Sequence, residues 1–393
     1  MQRRSFLKSA GVATFLIAGG GVWRAVEQGV FSVGAGPAYQ PWVTWRTGHL
    51  DGLVPLVRAA LLAASPHNTQ PWLFTVSETA IELYLDPARS VGALDPYLRE
   101  AHIGMGCALE NLIVAAVPRG TSFRLTLVPG KLGPVPAQAK PALVARVEIA
   151  RCIQELTDLY DAIPRRHTNR GPFFPQRQVP GPFLDALGGL AGEETDIRLV
   201  LLTAEADRKR IVELSSAANL ELYSDPEVLR DHDRWLRLSW SEVQEHRDGL
   251  TVDAFGLPPL MAGLAKMMPA RMLRRAVLSG SKSGYADLMS SAPLIGIIAV
   301  RDRYDREQCL KAGRLWQRAH LLATVHGLAG RPCNEAVEMI DREKALGKPA
   351  RQAGLLAGIT GGAAWEPTFV FTMGYPQRAA LASPRRPLEQ TVL

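Results

Sequence analysis

Apolar residues recur along this chain in two rhythms. Leu53, Leu56, Val57, Ala60, Leu61 and Ala64 fall three or four apart, the spacing of one helical face, so residues 50–64 are expected to form a helix that Pro66 stops. Residues 72–76 and 81–85 are short apolar runs split by a polar turn and read as strands. A long apolar helix is expected over 99–117, with strands over 123–128 and 144–149. A basic, proline-rich segment at 151–181 then breaks the pattern. Beyond it the rhythm predicts a helix at 183–190, a strand at 197–202 and a helix at 204–223. A strand at 294–300, a helix at 308–328 and a strand at 369–373 complete it. Residues 225–291 read as a mostly helical insertion holding Trp235, Trp240, Met261, Met267, Met268 and Met272, and residues 39–48 as an aromatic linker.

Two stretches, 106–120 and 313–327, both run from glycine to glycine at equal spacing, each in a helix in the middle of its own half. Few positions coincide, but the arrangement suggests two related α+β halves, 39–150 and 151–393. Size agrees: 393 residues allow two domains or two fused halves, and 47% hydrophobic with 21% charged residues supply a core and exclude general disorder. No run of about 18 apolar residues suggests a multi-pass membrane protein. Four scattered cysteines give no zinc pattern and leave one disulfide open. The net charge of +7 suggests an anionic partner. Nucleic acid is set aside, because the arginines form no continuous stripe with interleaved aromatics.

The N-terminus, Arg3-Arg4-Ser5-Phe6-Leu7-Lys8 followed by an apolar stretch to Trp23, resembles a bacterial twin-arginine (Tat) signal. Small residues around 33–38 offer cleavage sites. The resemblance implies that residues 1–38 are an address handed to the Tat translocase, and that the protein is exported to the periplasm, or membrane-anchored if the signal stays uncleaved.

Dinucleotide-binding, P-loop, zinc-protease and serine-hydrolase signatures are absent from the sequence. Three segments carry candidate chemistry instead. Ala64-Ser65-Pro66-His67-Asn68-Thr69-Gln70-Pro71-Trp72 is a helix-to-strand turn whose small and polar groups allow a planar polar ligand to approach. In Arg165-Arg166-His167-Thr168-Asn169-Arg170, the alternating Arg166, Thr168 and Arg170 share one side of an extended chain and suit a phosphate. In the tail, two prolines hold Arg385 and Arg386 extended. The bland alternatives are a turn, a solvated basic linker and a frayed end.

Together these segments resemble the FMN-dependent nitroreductase family. Ser-Pro-His-Asn-Thr-Gln-Pro-Trp is similar to its P-S-x-x-N-x-Q-P-W signature, and Arg-His-Thr-Asn-Arg to its R-x-S-x-R/K phosphate segment. The run from Gly327 to Glu335 is similar to its helix-turn beside the flavin ring, and Arg386 to its last phosphate-binding arginine. Within it, the chain looks like the Acg-type subfamily of single-chain, nitroreductase-like flavoproteins. The resemblance implies a nitroreductase-like α+β fold whose fused halves form an intramolecular pseudo-dimer, in a monomeric chain. It implies one FMN held by Ser65, Pro66, Asn68, Arg166, Thr168, Arg170, Pro332, Cys333, Asn334, Arg385 and Arg386, with no catalytic side chain assigned. It also implies two-electron transfer to a nitroaromatic, quinone or similar small planar acceptor. Asn334 and Glu335 depart from the family pattern at the flavin turn. A binding role, flavin held or sequestered without turnover, is the alternative, with the insertion as a lid.

Overall fold

Two four-stranded antiparallel sheets organise the chain in this computed structural model, which describes residues 21–47, 52–119, 122–136, 138–150, 158–192 and 194–393. The first sheet holds β1 (Trp72–Val76), β2 (Ala80–Leu85), β3 (Ser122–Leu127) and β4 (Ala142–Ala150), in the order β1-β2-β4-β3. Strand β5 (Ile197–Leu202) opens the second half, and the insertion contains a short parallel pair, β6 (Leu236–Arg237) and β7 (Leu250–Thr251). The second sheet is completed by β8 (Leu294–Val300), β9 (Ala329–Pro332) and β10 (Glu366–Gly374), in the order β5-β8-β10-β9. Each sheet therefore places its first, second, fourth and third strands side by side, with a long helix between the second and third. The two halves repeat one topology.

The long helices Arg99–Ala116 and Arg306–Val325 pack on each other, and the paired glycines explain how. A Cβ on Gly106 would lie 2.1 Å from the Leu310 carbonyl oxygen, and one on Gly313 would lie 1.9 Å from that of Ile103. Only glycine permits this backbone approach. The stretches that the sequence pairs by position thus meet face to face, at the centre of the molecule.

The sheets differ in how they are covered. Every residue of β8 is buried, as expected for a continuous apolar run. Leu294, Ile298 and Val300 join the main core, and Ile295 and Ile297 a second core with Val337, Ile340 and Val370. In the first sheet, Trp72 and Phe74 of β1 join the main core while Leu73 and Thr75 are only half-buried.

After its last strand, each half sends chain across to the other. Downstream of β4, Asn169 N donates to Gly330 O (3.0 Å) and Phe174 N to Tyr375 O (2.9 Å), both in the second half. Downstream of β10, the C-terminal residues return to the first sheet, where Phe74 N donates to Thr391 O (2.7 Å).

Several expectations are corrected. The helix expected over 50–64 is Val54–Ala60, with 48–51 outside the described residues. The long helix ends at Val325, and the expected helix-turn at 327–335 is instead strand β9 leading into helix Glu335–Ala345. Residues 39–48 are not a loose linker: Tyr39, Trp42 and Trp45 are buried. Cys107, Cys309 and Cys333 are free, buried thiols, and Cys152 lies outside the described residues. So do the paired arginines of the N-terminus. The part of 1–38 that is described, residues 21–38, packs on the insertion: Arg24 donates to the Met267 and Met268 carbonyls, each at 3.2 Å.

Candidate functional site

The exchanged segments meet at the turn after the first helix. Residues Ala64, Ser65, Asn68, Arg166, Thr168, Arg170 and Arg385, with Trp42, His167 and Ser383, line a small recess. Its polar lining and small size suit an anion more than an apolar ligand.

The turn is strained into shape. His67, Asn68 and Gln70 have φ of 46°, 57° and 52°, a left-handed conformation that costs side-chain-bearing residues about 1–2 kcal/mol each. Hydrogen bonds hold it there. Gln70 N donates to Ser65 Oγ (3.0 Å), and Asn68 Nδ2 donates to Pro384 O (2.9 Å). From the tail, Arg386 N donates to Gln70 Oε1 (2.8 Å) and its guanidinium to Gln70 O (3.1 Å). Beneath, Gly104 of the first long helix lets that helix lie close under Pro66.

The electrostatics of the recess are lopsided. Arg166 and Arg385 are buried, and Arg170 is half-buried. None of the ion pairs among the described residues includes them. Arg166 Nη2 donates to Leu62 O (2.9 Å), and Arg385 Nη2 to Ala63 O (3.1 Å) and Leu62 O (3.4 Å). Arg385 also donates to Asn68 Oδ1. The buried Nε atoms of Arg166 and Arg385 have no partner among the described residues. Burial pulls Arg166 down to about 10. Burial, then repulsion from Arg331 and Arg166, does the same to Arg170. Arg385 is driven well below its ordinary value by burial and by Arg166 and Arg170. Nearby His167 falls to about 3 through burial and the Arg166 and Arg385 charges, so it is neutral at neutral pH. Buried cations without counter-charge are costly, and an anion in the recess would relieve them.

Not every sequence candidate reaches the recess. Arg386, expected to be the last phosphate arginine, points away from it and braces Gln70; Arg385 takes the recess position. Pro332, Cys333 and Asn334 lie at the end of β9, outside the lining. Cys333 N donates to Val370 O (2.8 Å) and Asn334 Oδ1 accepts from Val370 N (2.9 Å), so both groups are engaged with β10. Trp42 and His167 escaped the sequence reading. An aromatic cluster just before the first helix is the signal that could have pointed to Trp42.

The insertion closes on this turn. His67 Nε2 and His232 Nδ1 share a 2.7 Å hydrogen bond. Gly249 N donates to Asn68 O (3.2 Å), and Gln70 Nε2 to Arg247 O (2.9 Å). Gly256, at φ 72°, lies so close to Gly171 that a Cβ would stand 2.3 Å from its nitrogen. At the far end, Tyr285 Oη donates to Glu335 Oε2.

With this geometry in view, known proteins offer a comparison. A Mycobacterium tuberculosis protein provisionally named NAD(P)H nitroreductase Rv3131 is 27% identical over 292 residues, 73% of this chain and 77% of its own. The likeness is to nitroreductases. The nitroreductase Acg, provisionally named and from the same organism, is 33% identical over 85 residues, 22% of this chain and 26% of its own. The uncharacterised protein Rv3127 of that organism is 25% identical over 349 residues, 86% of this chain and 91% of its own. Among solved structures, an FMN-dependent nitroreductase of Mycobacterium smegmatis in complex with NADPH covers 60% of this chain and 98% of its own, at 18% identity and a TM-score of 0.36. No family model matches the chain.

Proposed function

We propose that this chain is a nitroreductase-type flavin oxidoreductase that holds one FMN by its phosphate in the recess. The observation that carries the reading is the convergence of Arg166, Arg170 and Arg385 on an anion-sized space with no carboxylate to neutralise them. The residues fit a phosphate: orphaned guanidinium N–H groups supply charge-assisted donors, and Thr168 adds a hydroxyl. Similarity to proteins named for NAD(P)H nitroreductase activity agrees with it.

Bound there, FMN would supply two-electron redox chemistry. The protein's own part is to bind, orient and exclude water. Its three arginines fix the phosphate end, the braced turn at 65–70 sets one wall, and the insertion covers the approach. A small planar acceptor, a nitroaromatic or quinone, is the substrate class of this proposal, and export by the Tat route its cellular setting. The closed insertion favours a second reading, a protein that holds flavin without turnover.

The test is flavin identification and stoichiometry on the purified chain, then anaerobic mixing with NADH, NADPH or a quinol. About one FMN per chain is expected, bleached by a donor and reoxidised by a nitroaromatic. A colourless protein that takes up no FMN refutes the reading, and so does a stoichiometry near two. Bound FMN that no donor reduces selects the holding role.

A further inference from the structure

The surface beside the recess carries an apolar face that none of the described residues covers. Helix Pro259–Met267 turns Leu260, Met261 and Leu264 outward, with Leu260 75% exposed, and Met272 of the following helix Ala270–Ser283 is also exposed. Residues 21–38 lie against this helix. Buried Lys266 donates to Gly29 O (3.0 Å) and pairs with Asp253 (2.8 Å), and a Cβ on Gly263 would touch Val30. This segment adds Trp23 and Phe31, 72% and 74% exposed, with Val22 and Val26. Clustered apolar residues on this scale mark an interaction site rather than ordinary surface.

Charge says what kind. Arg271 and Arg275, one helical turn apart, are exposed and have no ion pair among the described residues, whereas Arg274 between them is paired to Asp233 and Glu242. Apolar side chains flanked by unpaired arginines suit the interface of an anionic bilayer. The chain leading into the face agrees. Residues 10–20 are apolar in sequence apart from Thr14, with Arg3, Arg4 and Lys8 before them. Among the described residues, no helix is long and apolar enough to cross a membrane, and this face is one that would lie on the surface.

We propose that residues 21–33 and the helices over 259–283 form one face that docks on an anionic lipid bilayer, with the N-terminal segment retained as part of it. Retention is supported by ties that a discarded leader would not need. Gln244 accepts from Ala38 N (2.9 Å) and donates to Ala35 O (3.2 Å), and Gly29 packs under the Trp240 ring. The face begins at the site: Leu257 follows Gly256, which packs against Arg170 and Gly171. Docking would hold the recess beside the membrane.

The full chain is tested by flotation with vesicles of phosphatidylcholine alone or mixed with phosphatidylglycerol. The parent should float with the mixed vesicles. Leu260→Asp with Leu264→Asp should lower the bound fraction about tenfold or more, since each buried leucine contributes more than a factor of ten. Arg271→Glu with Arg275→Glu should remove the preference for phosphatidylglycerol. These positions are exposed, and an unchanged circular dichroism spectrum checks the fold. A fluorophore on Met261→Cys should shift to the blue with vesicles. Equal flotation of the leucine variant and the parent, with no shift at position 261, overturns the proposal and leaves binding to residues 10–23. No flotation of the parent also overturns it. So does a dimer, present without vesicles, that the leucine variant abolishes: the face would then cover a second copy.

Discussion

Replacing Arg166 with methionine should stabilise the ligand-free protein while weakening its hold on FMN. Arg166 is 1% exposed, and burial brings it from 12.5 to about 10. At 1.36 kcal/mol per pKa unit, a fall of about 2.5 corresponds to roughly 3 kcal/mol against carrying the charge there. Methionine keeps much of the length and removes the charge. It also gives up the hydrogen bond to Leu62 O at 2.9 Å and the long contact to His320 Nδ1 at 3.4 Å. A hydrogen bond from a charged donor is worth about 1.5–3 kcal/mol, so this loss offsets much of the gain. The ligand-free variant should gain up to about 1.5 kcal/mol by this difference. With an anion bound the sign reverses, because the guanidinium then has its counter-charge. Each charge-assisted bond contributes about 1.5–3 kcal/mol, so FMN affinity should fall about tenfold to a hundredfold. Urea unfolding with and without FMN reads the first effect, and quenching of FMN fluorescence reads the second. A ligand-free variant less stable than the parent, with unchanged FMN affinity, would refute the reasoning and make Arg166 a structural residue.

Two further outcomes are expected. Gly313→Ala should cost about 3 kcal/mol or more in denaturant unfolding, because its methyl group would sit 1.9 Å from Ile103 O in a crossing that cannot open without parting the halves; a loss under about 0.5 kcal/mol would mean that the helices do not touch there. The His67–His232 bond links the insertion to the turn, and burial lowers His232 to about 4. Its folded pKa lies below the unfolded value near 6.5, so the unfolded state takes up the proton first, and this histidine's contribution to stability is lost as pH falls from about 6.5 to 4, by up to about 1.4 kcal/mol per pH unit. The stability deficit of His232→Asn against the parent should therefore shrink on acidification through that window; a deficit that stays constant would mean that His232 is not neutral in the fold.

The strands were legible where burial is two-sided or alternation clean. β8 matches the apolar run at 294–300 residue for residue, and β1 matches 72–76. Helix Glu335–Ala345 went unread because its charges look like surface. Yet Asp341 is buried between Arg99 (2.7 Å) and Arg303 (3.0 Å), and Arg342 pairs with Asp225 (2.6 Å). β9 is short and carries glycine and proline; only its register on β10, with Pro332 opposite Phe371, makes it a strand. In the site, alternation placed Arg166, Thr168 and Arg170 on one side. The same alternation defeated the choice between Arg385 and Arg386. Neighbours on an extended chain face opposite ways, and the sequence does not say which faces inward.

The position of the recess follows from how the halves are joined. Its three arginines all lie on segments that have left one sheet for the other: 166–170 downstream of β4, and Arg385 downstream of β10. Arg166 and Arg385 both donate to Leu62 O, so the two crossings converge on one carbonyl at the end of the first helix. Two like charges brought to one buried point oppose the assembly that brings them there. An anion between them converts that opposition into a tie across the molecule. Ligand binding and the joining of the halves are then one equilibrium. It follows that bound FMN should raise the unfolding midpoint of the whole chain by mass action, not merely order the loop that contacts it.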